Sequence, residues 1–131
     1  MIKYSHKRLT NADAPLPRGA FPFYAIIKHM KLVVGLGNPG NLYNFTRHNV
    51  GFLALDFYAK VRNINFEPAE KYDAKFFRIN DTFFIKPQTF YNDVGSSIAR
   101  FKNFYKIKPE EILVICDDFN LSFGKLRLRE K

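Results

Sequence analysis

A strand-to-helix passage near Met30 constrains the fold most. Lys31–Gly37 reads KLVVGLG, a short apolar run ending in glycine. An unbroken apolar run of that length reads as a strand buried on both faces, as in the parallel part of a layered sheet. Asn38-Pro39-Gly40 then stops it with turn chemistry. From Asn49 to Arg62 apolar residues recur at Val50, Leu53, Ala54, Phe57, Tyr58 and Val61. That spacing predicts a helix with those residues turned to the core, and Thr46 is its expected N-cap.

The same reading extends along the chain. Ala74–Ile79 and Thr82–Lys86 are strand-like runs joined at Asn80-Asp81, a hairpin signal. Asn92 or Asp93 can cap a second helix with Val94, Ile98, Phe101 and Tyr105 inside. Ile112–Cys116 (ILVIC) reads as a buried strand ended by Asp117-Asp118. Lys125–Arg129 (KLRLR) alternates with period two and reads as a half-exposed strand. The order of these elements predicts an α/β fold: one domain, a mixed and mostly parallel sheet, helices flanking it. Residues 1–29, with Pro15, Pro17 and Pro22 and no sustained periodicity, are expected to be a poorly ordered extension. The domain is expected to span 30–131, and Met30 has the place of a natural start.

Charge bears on partners. The formal net charge of +9 divides into +4 over residues 1–30 and +5 over 31–131, so the excess is not a property of the extension. A basic surface favours an anionic partner such as nucleic acid. The single cysteine, Cys116, excludes an intrachain disulfide and fits a reducing, cytoplasmic setting. No apolar stretch is long enough to span a bilayer. Three scattered histidines and one cysteine give no metal-ligand spacing.

In open α/β sheets ligands bind beyond the carboxyl ends of the strands. Asn38, Asn92 and Asp117 all stand at such ends, and His48 lies at the start of the first helix. With adjacent strands these four meet in one cleft. A neutral imidazole there can act as a base, and a carboxylate on its other nitrogen would fix the tautomer. Carboxamides can hold a substrate amide or a developing oxyanion. Water deprotonated by His48 would suffice to cleave an ester. Singly, each residue has a plainer role: His48 on the surface, Asn38 in a turn, Asn92 as a cap, Asp117 ending a strand. Gly35-Leu36-Gly37-Asn38-Pro39-Gly40 also satisfies G-x-G-x-x-G. A dinucleotide-binding module is therefore a rival reading, although Asn41–Phe45 is turn-like where a helix should begin. An inactive, basic RNA-binding fragment is a third.

Three motifs taken together resemble one family. VVGLGNPGNLYNFTRHNVGF is similar to the opening signature of bacterial-type peptidyl-tRNA hydrolases. KPQTFYNDVG resembles their K-P-x-T-F-M-N-x-S-G segment, and ILVICDDFNLSFGKLRLR their strand, acidic turn and basic strand. The resemblance runs from Met30 to the chain end. It implies hydrolysis of the ester between a peptide and tRNA, releasing peptide and free tRNA for translation. It also implies no cofactor, no metal, no membrane, a monomer and the cytoplasm. By motif, the catalytic pair falls on His48 and Asp117. Substrate-positioning residues fall on Asn38, Tyr43, Phe90 and Asn92. Contacts to tRNA phosphates fall on Arg127 and Arg129.

This chain departs from the pattern at a few positions. Tyr91 stands where the family usually has Met, a bulkier wall for the peptide groove. Asn120 replaces a common acidic residue, Asp93-Val94 precede Gly95, and Cys116 stands where His is frequent. The family pattern continues past Lys131 with a glycine-rich segment and a further His and Asn. By this reading the chain is expected to be C-terminally truncated, weakly active or inactive by itself, and marginally stable.

Overall fold

The computed structural model describes residues 2–4 and 30–130. Most of the expected extension, residues 5–29, lies outside them. The strands are β1 (Ile2–Tyr4), β2 (Leu32–Gly35), β3 (Glu67–Ala69), β4 (Ala74–Ile79), β5 (Thr82–Pro87), β6 (Ile112–Ile115) and β7 (Leu128–Glu130). Two helices join them: α1 (Val50–Val61) and α2 (Val94–Phe104). All seven strands form one mixed sheet in the order β3-β4-β5-β2-β6-β1-β7. Its centre, β5-β2-β6, is parallel. The β3-β4-β5 side is antiparallel. β1 runs antiparallel to β6 and parallel to β7. The mixed α/β sheet agrees with the sequence reading, but parallel pairing does not dominate it.

Alternation along β2 explains the layering. Val33 joins Leu55 and Ala59 of α1, Phe84 and Leu113 in one core. Leu32 and Val34 join Phe83, Ile85 and Phe101 of α2 in a second core. Successive strand residues point to opposite faces, so a run of consecutive apolar residues serves both. Each fully buried Leu or Phe contributes roughly 1.5–3 kcal/mol. Met30, read as a start residue, is itself buried, and its carbonyl accepts from Thr82 Oγ1 at 2.7 Å.

The hairpin forms as the sequence indicates. Ile79 faces Thr82 across a two-residue turn, and Asn80 takes the left-handed conformation at φ 51°, which Asn tolerates better than most residues.

Several expectations are corrected. The inner face of α1 is Gly51, Phe52, Leu55 and Ala59, whereas Val50, Phe57 and Val61 are exposed. The cause is Gly51, whose missing side chain lets the helix backbone meet Leu36 and Ile115 directly. Thr46 does not cap α1. It precedes a 3-10 turn, Arg47–Asn49, and its hydroxyl donates to the Tyr43 carbonyl at 2.9 Å. Asp93 stands at the N-cap of α2 without a side-chain cap bond. The buried face of α2 is Val94, Ser97 and Phe101, with Ile98 partly packed. Lys125–Arg127 are not strand: β7 is the three residues that find partners in β1. Strand length is set there by the neighbour, not by the alternation in KLRLR.

Candidate active site

The carboxyl ends of the parallel strands β5, β2 and β6 open on one edge of the sheet. After Gly35 the chain enters the Asn38-Pro39-Gly40 turn and two 3-10 turns, Asn41–Tyr43 and Arg47–Asn49, before α1 begins. No helix starts at the glycine run, so the dinucleotide geometry is not built.

The second 3-10 turn presents His48 to the end of β6. Its Nδ1 lies 2.9 Å from Asp117 Oδ2, across 69 residues of sequence. Asp117 is the second residue past β6 and its side chain is only 13% exposed, against 48% for His48. A carboxylate can only accept, so Nδ1 carries the proton, and in the neutral ring Nε2 keeps its lone pair for another partner. The imidazole also packs edge-on against Phe119, with ring centroids 5.4 Å apart. The arrangement can draw a proton from water at Nε2 and hold the resulting imidazolium against Asp117.

Tyr91 completes the group. It begins the 3-10 turn Tyr91–Asp93, beside Cys116 and Asp117. Burial, then the neighbouring Cys116 and Asp117, push its phenol up to about 12. The sign for stability follows. An unfolded Tyr ionises near pH 10, so the folded state favours the neutral phenol. The stabilisation is fully present below about pH 10 and is lost as pH rises toward 12. Urea unfolding near pH 9 and near pH 11 should show a loss for wild type that is smaller in Tyr91→Phe. Equal losses in both would remove the assignment.

Asn38 is held through its backbone. Asn49 Oδ1 accepts from the Asn38 N–H at 2.7 Å, and Asn49 Nδ2 donates to the Asn38 carbonyl at 3.1 Å. Asn49 is 2% exposed. Sequence reasoning passed over it, although a polar residue where an apolar helix face begins is a readable signal. Asn49→Leu should destabilise by about 2 kcal/mol, because it leaves the part-buried N–H and carbonyl of Asn38 without their partner. Chemical denaturation measures this, and a change below about 0.5 kcal/mol would show that the clamp is dispensable.

The expected single cleft is two. A polar cleft of about 370 Å³ contains Asn38, Asn41, Asn44, Lys75, Lys86 and Gln88 along its wall. A larger, more apolar cleft of about 710 Å³ contains Val50, Ile115, Asp117, Leu121, Phe123 and Leu126. Phe45 and Leu53 border both. The loop carrying the 3-10 turns divides them, with Asn49 on the polar side and Arg47 on the apolar side. In the polar cleft Lys86 Nζ pairs with Asp56 and lies 4.0 Å from the Phe66 ring centroid. Sequence reasoning missed this group too.

The remaining candidates are placed as follows. Tyr43 ends the first 3-10 turn and is partly exposed, and Phe90 is exposed just before Tyr91. Asn92 lies on the Tyr91–Asp93 turn. Arg127 pairs with Asp118 at 3.8 Å, one residue from the dyad's carboxylate. Arg129 is exposed on β7, so the two arginines do not share a strand. Among the described residues no cluster of three His, Cys, Asp or Glu could hold a metal. Among them also, no helix is long and apolar enough to cross a membrane.

Residues 32–131 match the family model described as Peptidyl-tRNA hydrolase. A curated relative of that name from Fusobacterium nucleatum is 50% identical over 107 residues, 78% of this chain and 56% of its own length. Another from Lactobacillus gasseri is 48% identical over 104 residues, 76% of this chain and 56% of its own. The chain thus spans a little over half the length of these relatives. A crystal structure of peptidyl-tRNA hydrolase from Acinetobacter baumannii superposes with a TM-score of 0.66 at 35% identity, covering 71% of this chain and 50% of that one. The match takes in β2, α1, the hairpin, α2 and β6, the elements that bring His48 to Asp117, and on that ground the chain belongs to the peptidyl-tRNA hydrolase family.

Proposed function

We propose that this chain carries catalytic residues of an ester hydrolase acting on peptidyl-tRNA. Water attacks the ester carbonyl while His48 Nε2 takes its proton, and Asp117 stabilises the imidazolium. The tetrahedral intermediate then collapses, the ribose oxygen leaves with a proton, and peptide and free tRNA separate. The observation that carries this reading is the His48–Asp117 pair at 2.9 Å, with the imidazole half exposed. Asn38, Tyr43, Phe90 and Asn92 are the residues proposed to position the peptide. Arg127 and Arg129 are proposed to contact tRNA phosphates, as the exposure of Arg129 and the chain's net charge of +9 favour. The same proposal takes the protein to act in the cytoplasm, as a monomer and without a metal or cofactor.

The test is single-turnover release of tRNA from N-acetyl-aminoacyl-tRNA, with protein in excess. Release faster than the buffer rate is expected, at a modest rate for these 131 residues alone. Release no faster than buffer would reject the reading for this chain. NAD(H) should not bind, and tight binding would favour the nucleotide reading of the glycine run.

A further inference from the structure

The turn after Asp117 presents an aromatic ring that the proton transfers do not use. It closes on Asp118, whose Oδ1 accepts from the Asn120 N–H at 3.0 Å and whose carbonyl accepts from the Leu121 N–H at 3.2 Å. The Asp118 side chain is 9% exposed and pairs with Arg127 at 3.8 Å. Phe119, the next residue, is 71% exposed. A single exposed Phe is ordinary on a protein surface. This one stands against the imidazole of His48, with ring centroids 5.4 Å apart and planes at 71°. In an edge-to-face pair one ring gives its edge to the other's face. At least one face of Phe119 therefore stays clear of the imidazole.

We propose that Phe119 is a stacking platform for the 3′-terminal nucleobase of tRNA. The proposal rests on the hydrolase reading for the placement of its ligand. Water activated at His48 Nε2 must meet the ester carbon at about 3–3.5 Å. The ester oxygen belongs to a ribose, and the base hangs on that same ribose a few bonds away. A base held there comes within reach of the ring beside His48. The two halves of the substrate also divide between the clefts. The carboxamides of Asn38, Asn41 and Asn44 border the polar cleft, and carboxamides suit peptide amides. Arg127, proposed to meet a phosphate, is tied to the turn that carries Phe119. Stacking needs only a π face, so the platform fixes where the terminal nucleoside sits without reading which base it is.

The test is a binding cycle on the 131-residue chain. The probes are two acceptor-stem RNA hairpins ending in CCA, both without peptide. One is complete, and the other lacks the terminal adenine on an otherwise intact ribose. Fluorescence anisotropy gives their affinities. Wild type should bind the complete hairpin about tenfold tighter than the abasic one, within the worth of one stacked base. Phe119→Leu keeps apolar bulk beside His48 and loses the π face, so that ratio should drop to about twofold or less. Phe119→Tyr keeps a ring and should keep the ratio. In single turnover Phe119→Leu should raise half-saturation and leave the maximal rate unchanged, as expected when binding common to ground and transition states is lost. Equal affinity of wild type for the two hairpins would overturn the proposal. So would a ratio that survives in Phe119→Leu. A lower maximal rate with half-saturation unchanged would also overturn it, by assigning the ring to holding the imidazole. If the wild-type chain hydrolyses nothing, the hydrolase reading fails while the affinity ratios still decide the role of Phe119.

Discussion

His48→Ala should lower single-turnover hydrolysis of N-acetyl-aminoacyl-tRNA by about 10²–10⁴-fold, to the spontaneous rate. The expectation follows from the position of one atom. Nδ1 is engaged by Asp117 at 2.9 Å, so Nε2 is the ring's acceptor, and the half-exposed ring lets water reach it. Removing the ring leaves the cleft without that base. The fold should barely notice, because the side chain is nearly half exposed and its contacts are one ion pair and one ring edge. Unfolding free energy is therefore expected within about 0.5 kcal/mol of wild type. Binding of tRNA should persist, since the cations proposed for it lie on β7 and the segment before it. Asp117→Asn should lose much of the same factor, because an amide cannot stabilise an imidazolium as a charge does. Unchanged hydrolysis in His48→Ala would end its role as base. Lost hydrolysis together with lost folding would show that the residue is structural.

Gly51→Ala should destabilise this chain strongly, by about 3 kcal/mol or more. A Cβ at Gly51 would stand 2.3 Å from the Leu36 nitrogen and 2.4 Å from the Ile115 oxygen. Those two atoms are partners in the 2.9 Å hydrogen bond that carries β2 into register with β6. All the obstructing atoms are backbone, so no side-chain rotation relieves the clash. The helix must lift from the sheet, and lifting it drags His48, three residues earlier, away from Asp117, two residues past Ile115. Activity should fall with stability. Gly95→Ala is the contrast. A Cβ there meets nothing within 4 Å, and the change should add about 0.5 kcal/mol through helix propensity. Urea midpoints for both variants decide the matter. A Gly51→Ala protein within about 1 kcal/mol of wild type would mean that the helix docks by other contacts.

What could be read along the chain was whatever is written in short-range order. The apolar runs announced β2, β5 and β6, Asn80-Asp81 announced the hairpin turn, and helical spacing announced α1 and α2 nearly to their ends. Motifs in order pointed to the family and named His48 and Asp117 before any distance between them was known. Three-dimensional packing decided the rest. The phase of α1 was not legible because VGFLALDFYAKV is apolar on most sides. Its orientation depends on backbone meeting backbone at Gly51, a contact with Leu36 and Ile115 that no local period encodes. β7 runs only as far as β1 lies beside it, so its length belongs to a partner more than a hundred residues away. Asn49 is a clamp only because the chain doubles back on Asn38. Tyr91 stands near Asp117 only because the β2–β5 and β2–β6 pairings bring their strand ends to one edge of the sheet. Residue types and their spacing carry chemistry and local conformation. Which groups touch depends on the register of distant strands, and that is set by the summed burial of the two cores.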